Sequence, residues 1–193
     1  MTKKQGNNEI YISVDVEAAG PNPSDYSLLS IGACLVSEPD QAFYVELKPV
    51  NERARPEAMA VCDLSLTTLA ERGLPPAEAM SRFAAWVNAE VPNGQHPVFV
   101  GFNAPFDWMF INDYFHRFLG HNPFGYAALD LKAFYMGMTG LCWSQTRMEF
   151  VAERYLGGRP LTHNALRDAQ DQAEIFRAML REREGPSSGQ GCA

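Results

Sequence analysis

The chain is poor in the features that would place it in a membrane or outside a cell. It has four cysteines (Cys34, Cys62, Cys142 and Cys192), scattered and with no Cys-x-x-Cys spacing. That count supports neither a disulfide scaffold nor a zinc site and predicts reduced thiols in a cytoplasmic protein. No apolar run approaches the roughly 20 residues that cross a bilayer, so no membrane association is expected. The N-terminal Met-Thr-Lys-Lys-Gln-Gly-Asn-Asn-Glu has no apolar stretch behind its lysines and does not read as a secretory signal. Basic charge is also scarce: 16 Lys and Arg stand against 23 Asp and Glu, a net charge of −7. That balance argues against a protein that coats long duplexes by phosphate neutralisation alone. It does not argue against an acidic site that gathers divalent cations, because bound ions reverse the local sign.

What is present suffices for one well-cored domain in 193 residues. Strands are predicted at Ile10 to Glu17, Leu28 to Val36 and Ala42 to Lys48, with connections short enough for an antiparallel meander. The third carries charge, precedes Pro49 and reads as an edge. A short helix is expected from a cap at Asp63 to Gly73, and a longer one from Pro75-Pro76 to near Pro92. The apolar run Val98 to Phe102 predicts a doubly buried strand, followed by a helix from about Ala104 to Leu119 and a strand at Ala127 to Leu131. A capping box at Thr146 to Glu149 opens a helix closed by Gly157-Gly158, and Asn164 caps the last helix, to about Arg183. The expectation is an α/β domain at residues 9–183, with a disordered N-terminus at 1–8 and a flexible tail at 184–193.

The first strand alternates strictly: Ile10, Ile12, Val14 and Val16 on one face, Tyr11, Ser13, Asp15 and Glu17 on the other. Asp15 and Glu17 therefore point the same way, roughly 7 Å apart at their Cα atoms. Two like charges on a rigid strand repel unless a cation sits between them. Asp107 and Asp168 each fall in the first turn of a predicted helix, where the dipole alone favours a carboxylate. His163 sits just before the cap of the last helix; His96, His116 and His121 read as solvated. Phe106, Phe110, Tyr114 and Phe118 recur every fourth residue, a stripe that reads as core, with Phe106 beside Asp107 open to a base-stacking role. Asp130, at the end of the fifth strand, could sit near the site, with a structural role the favoured reading.

Taken together, Asp15-x-Glu17, Asp107 and His163-x-x-x-x-Asp168 resemble, in order and spacing, the DEDDh group of 3′→5′ exonucleases in the ribonuclease-H-like superfamily. The resemblance covers about residues 9–183 and implies a ribonuclease-H-like mixed five-stranded sheet: a meander of three strands plus two crossover strands, flanked by helices. It implies phosphodiester hydrolysis at the 3′ ends of single-stranded DNA or short RNA, with two Mg²⁺ or Mn²⁺ ions roughly 3.5–4 Å apart. On that pattern Asp15 bridges both ions, and Glu17 and Asp168 complete the ion nearer the attacking water. Asp107 supports the other, and His163 is the general base. The family often carries Thr and Gly after its first motif; Ala18-Ala19-Gly20 stands here, so backbone amides at Ala18 would meet the terminal nucleotide. Some related proteins are homodimers. Two other readings remain open at this level: a non-catalytic nucleic-acid-binding module on the same fold, and a phosphodiesterase of small nucleotides.

Overall fold

Alternation along the N-terminal segment produces the longest strand, β1 (Glu9–Ala18), in the computed structural model of the protein, which describes residues 8–160 and 162–184. The meander follows as β2 (Leu28–Leu35), buried along its whole length, and β3 (Ala42–Glu46). Next come α1 (Pro56–Met59), α2 (Leu66–Arg72) and α3 (Pro76–Glu90). The crossover units are β4 (His96–Gly101) with α4 (Pro105–Leu119), then β5 (Ala128–Asp130) with α5 (Leu131–Thr139). A 3₁₀ turn at Trp143–Gln145 leads to α6 (Met148–Leu156) and α7 (Ala165–Glu184). The strand order is β3-β2-β1-β4-β5, with β1, β2 and β3 antiparallel in turn and β1, β4 and β5 parallel. This is the expected mixed sheet, with β3 at its edge.

Both faces of the sheet are covered, which is why β2 and β4 carry few polar residues. One face of β1 (Ile12, Val14, Val16) packs with Phe83 of α3 and with Phe110, Tyr114 and Phe115 of α4. On the other face Cys34 and Val100 meet Ala173 and Phe176 of α7. Beyond that, Tyr135 of α5 and Val151 of α6 close over Ile175 and Met179. Each β-to-α exit along the parallel strands delivers a helix N-terminus to the same end of the sheet, the end where β1 stops.

Four local expectations are corrected. Ser65, not Asp63, caps α2, its Oγ accepting from Thr68 N–H at 3.4 Å. The Thr146–Glu149 capping box does not form: the Thr146 hydroxyl donates back to the Trp143 carbonyl at 2.8 Å, and α6 starts at Met148 behind Arg147. Helix α5 was not anticipated, because Asp130 ends β5 and caps a helix in one step, its Oδ1 accepting from Lys132 N–H. The single turn α1, opened by Pro56, was not anticipated either. Asn164 does cap α7, accepting from Arg167 N–H at 3.1 Å. Of the terminal segments given as loose, Asn8 accepts from His96 N–H and Glu184 ends α7; their other residues lie outside those described.

Candidate active site

Three elements bring the predicted carboxylates to one place. β1 supplies Asp15 and Glu17 near its carboxyl end. After β4, the chain turns through Asn103, whose φ of 63° is left-handed, and α4 begins with Asp107 in its first turn. Asp107 is 4 % exposed, and its Oδ1 accepts from Val16 N–H at 3.0 Å, so the carboxylate is clamped between Asp15 and Glu17 along the chain. The third element, α7, starts directly over β2. Gly32, the antiparallel partner of Asp15, makes this possible: a Cβ there would stand 2.1 Å from the Ala165 carbonyl carbon. Asp168, one turn on and 2 % exposed, is thereby carried to the end of β1.

Asp168 also organises the turn before its helix. Its Oδ1 accepts from Thr162 N–H (2.8 Å) and from the Thr162 hydroxyl (3.1 Å), and its Oδ2 from His163 N–H (2.9 Å). His163 is exposed and left-handed at φ 53°. Glu17, His163 and Asp168 each present an atom within 4.8 Å of the others. That proximity suits a cation and equally suits a histidine accepting a proton beside one.

The electrostatics follow from crowding. Burial, then the charges of Asp107, Glu17 and Asp168, push the Asp15 carboxyl well above the usual carboxylate range. Burial, then Asp168 and Asp107, push Glu17 to about 8. Burial raises Asp107 to about 8 with Asp130 adding to it, against the Val16 N–H that favours its charged form. Acidic groups held this close do not all ionise without a compensating positive charge. The donor set is all hard oxygen plus one imidazole, which fits Mg²⁺ or Mn²⁺ and not a soft metal. Asp15, Glu17, Asp107 and Asp168 would hold such ions.

All five predicted residues line one cleft of about 630 Å³. Ala18 and Phe106, assigned to substrate contact, line it too. The aromatic stripe divides: Phe110 and Tyr114 are core, while Phe106 is half-buried and faces the cleft. Asp130 lies next to the site, holding Asn103 N–H at 3.1 Å and raising Asp107 by its charge, and it also caps α5. His96, His116 and His121 are not among the cleft's lining residues.

Sequence reasoning missed two groups here. Gln172, 1 % exposed, donates from Nε2 to Asp15 Oδ1 at 2.6 Å, and its Oε1 accepts from Phe102 N–H at 3.0 Å. The backbone donor fixes which end of the amide faces Asp15. The signal that would have found it is its position one helical turn beyond Asp168, on the same face. Arg55 also lines the cleft, its N–H on the Ala19 carbonyl (2.7 Å) and its guanidinium over the Tyr26 ring (5.7 Å). It lies in a loop, where no periodicity marks it.

Comparison with known proteins gives a consistent result. Residues 10–180 match the family model described as the 3′-5′ exoribonuclease Rv2179c-like domain. The chain is 50 % identical over 169 residues to the 3′-5′ DNA exonuclease Cap18 of Escherichia coli, covering 88 % of this chain and 90 % of that protein. Its fold matches the nuclease domain of 3′hExo, a DEDDh family member solved bound to rAMP (TM-score 0.75, 15 % identity, 94 % of this chain and 95 % of that one). It also matches Escherichia coli exonuclease I in a complex with single-stranded DNA (TM-score 0.69, 18 % identity); there it covers 92 % of this chain and 41 % of the other.

Proposed function

This chain belongs to the 3′-5′ exoribonuclease Rv2179c-like domain family, a family of 3′-5′ exonucleases of DEDDh fold, and from that premise we propose how it works and on what. It removes nucleotides from the 3′ ends of single-stranded DNA, with two Mg²⁺ or Mn²⁺ ions held by Asp15, Glu17, Asp107 and Asp168. The observation that carries this reading is the meeting of those four carboxylates and His163 in one cleft at the end of β1. DNA is favoured because the relative sharing half of its sequence over 90 % of its own length is named a DNA exonuclease; the family description speaks for RNA as the second substrate.

The cations, when bound, supply a water activated for attack and neutralise charge on the phosphodiester. His163 accepts the proton of the attacking water at a ring nitrogen, its turn held in place by the bond from its backbone N–H to Asp168 Oδ2. The new bond joins the water oxygen to phosphorus; the bond from phosphorus to the 3′ oxygen of the next nucleotide breaks, that oxygen takes a proton from solvent as it leaves, and His163 returns its own proton to solvent. Asp107 ties the end of β1 to α4 through Val16 N–H. Phe106 offers its half-buried ring to the terminal base, and the backbone at Ala18 replaces the absent hydroxyl. The free thiols of Cys34, Cys62 and Cys142 support a cytoplasmic setting. No helix among the described residues is long and apolar enough to cross a membrane.

The test is a 5′-labelled oligonucleotide panel of single- and double-stranded DNA and RNA, with Mg²⁺, Mn²⁺ or EDTA. Stepwise shortening of single-stranded DNA that stops with EDTA or with a blocked 3′ end is expected. Absence of metal-dependent release would favour a non-catalytic binding module. Cleavage confined to dinucleotides would favour a small-nucleotide phosphodiesterase.

A further inference from the structure

Outside the cleft, the exposed large apolar side chains are not scattered evenly. Met136, Trp143 and Phe150 fall within one short stretch spanning α5, the 3₁₀ turn and the start of α6. Trp143 is 51 % exposed, and the Lys132 ammonium lies 4.3 Å from its ring centroid. Lys132 and Met136 are one turn apart on α5, hence on one side of that helix. No carboxylate pairs with Lys132 among the described residues, whereas Arg147, near the Phe150 ring at 5.2 Å, is paired with Glu149.

This face is wired to the cleft through a single carboxylate oxygen. Asp130 Oδ1 accepts from Asn103 N–H, and Asn103 lines the cleft; the same oxygen accepts from Lys132 N–H at 3.0 Å. The turn that delivers Asp107 and the turn that begins the Lys132 helix are thus held to one another. The backbone of Lys132 is therefore tied to the same oxygen as Asn103, at the rim of the cleft.

We infer that Lys132, Met136 and Trp143 form a landing surface for the nucleotides upstream of the scissile linkage of a single-stranded nucleic acid. The inference rests on the exonuclease reading above. The chemistry matches in both parts. The Trp143 indole is half-exposed with the ammonium over its ring, and base–aromatic stacking tolerates any sequence. The ammonium meets a phosphate, on a chain whose net charge otherwise repels one. An interface between two copies of the chain is the competing occupant, and a lysine beside Trp143 with no carboxylate partner among the described residues disfavours it.

The experiment uses the full chain with Mn²⁺ and compares a thymidine dinucleotide with an oligothymidylate of about 15 nucleotides. The variants are Trp143→Ala, Trp143→Phe and Lys132→Gln, each checked for an unchanged melting temperature. For Trp143→Ala, KM on the long substrate rises about ten-fold with kcat unchanged, and the dinucleotide reaction is unaffected. Trp143→Phe recovers most of the loss. Lys132→Gln reduces the slope of log KM against log salt by about 0.7 on the long substrate. Equal effects of Trp143→Ala on both substrates, or none on the long one, overturn the inference and leave the exonuclease reading standing. So does sedimentation showing a wild-type dimer that Trp143→Ala splits, with the KM change tracking that loss. Wild-type protein that releases nothing from either substrate removes the exonuclease reading, and this inference with it.

Discussion

His163 and Asp15 are separable by what each should do to cation binding. His163 is exposed and reaches the site from a turn, so His163→Ala leaves the carboxylates in place. Calorimetric Mn²⁺ affinity should stay within a few-fold of wild type while kcat falls on the order of 10²–10⁴-fold, the range for a lost general base. Asp15→Ala should abolish both. Near-normal turnover in His163→Ala would remove the histidine from the chemistry. Gln172 acts at one remove, through Asp15. Its Nε2–H holds Oδ1 and favours the charged carboxylate, against the burial and repulsion that raise Asp15. Gln172→Leu deletes that donor and also strands Phe102 N–H, a loss of about 1–3 kcal/mol in stability. Mn²⁺ affinity should drop together with kcat. A variant that melts lower yet binds Mn²⁺ as wild type does would make Gln172 purely structural.

At the scale of elements, the position of α7 is set by β2. Gly32 faces the backbone of Ala165 and Leu166 closely enough that any side chain must push the helix away. In Gly32→Ala a backbone-to-methyl collision cannot be relieved by a rotamer change, so the helix start shifts and Asp168 moves with it. The expectation is a stability loss of about 1–3 kcal/mol in urea unfolding, with a fall in kcat that added Mn²⁺ does not restore. Full activity at normal stability would show that α7 does not depend on this approach. The strands and the long helices were legible because each has a pattern of its own: alternation in β1, a continuous apolar run in β4, fourfold spacing in α4. Helix α5 was not legible, since Asp130 serves as the last residue of a strand and the cap of a helix, two states with different periods. Nor was the failure of the capping box at Thr146, whose hydroxyl finds the Trp143 carbonyl within its own turn instead. The closeness of β2 to α7 left no trace in sequence beyond one glycine among buried neighbours.

For the molecule as a whole, the site was readable in its acids and unreadable in its supports. Asp15 and Glu17 follow from strand alternation, and Asp107, His163 and Asp168 from a family spacing; Gln172, Arg55 and Gly32 act through contacts between segments distant in the chain. The collected acids also make global stability depend on pH in a defined direction. Glu17 and Asp107 both titrate near 8 in the folded protein, far above their ordinary values of 4.5 and 3.8, and Asp15 is raised as well. Between those limits the folded state holds protons that the unfolded state has released, so stability falls as pH rises. Their contribution is fully present below about pH 4 and is lost by the time pH passes about 8. In EDTA, the melting temperature should therefore decline from pH 5.5 to pH 8.5. Mn²⁺ binds the folded carboxylates in competition with those protons and stabilises by mass action, so the rise it produces should be larger at pH 8.5 than at pH 5.5. Glu17→Gln should flatten the EDTA curve and weaken the response to Mn²⁺. Differential scanning fluorimetry across that range decides it: a melting temperature that climbs with pH in EDTA would mean that the carboxylates are not crowded as the structure has them.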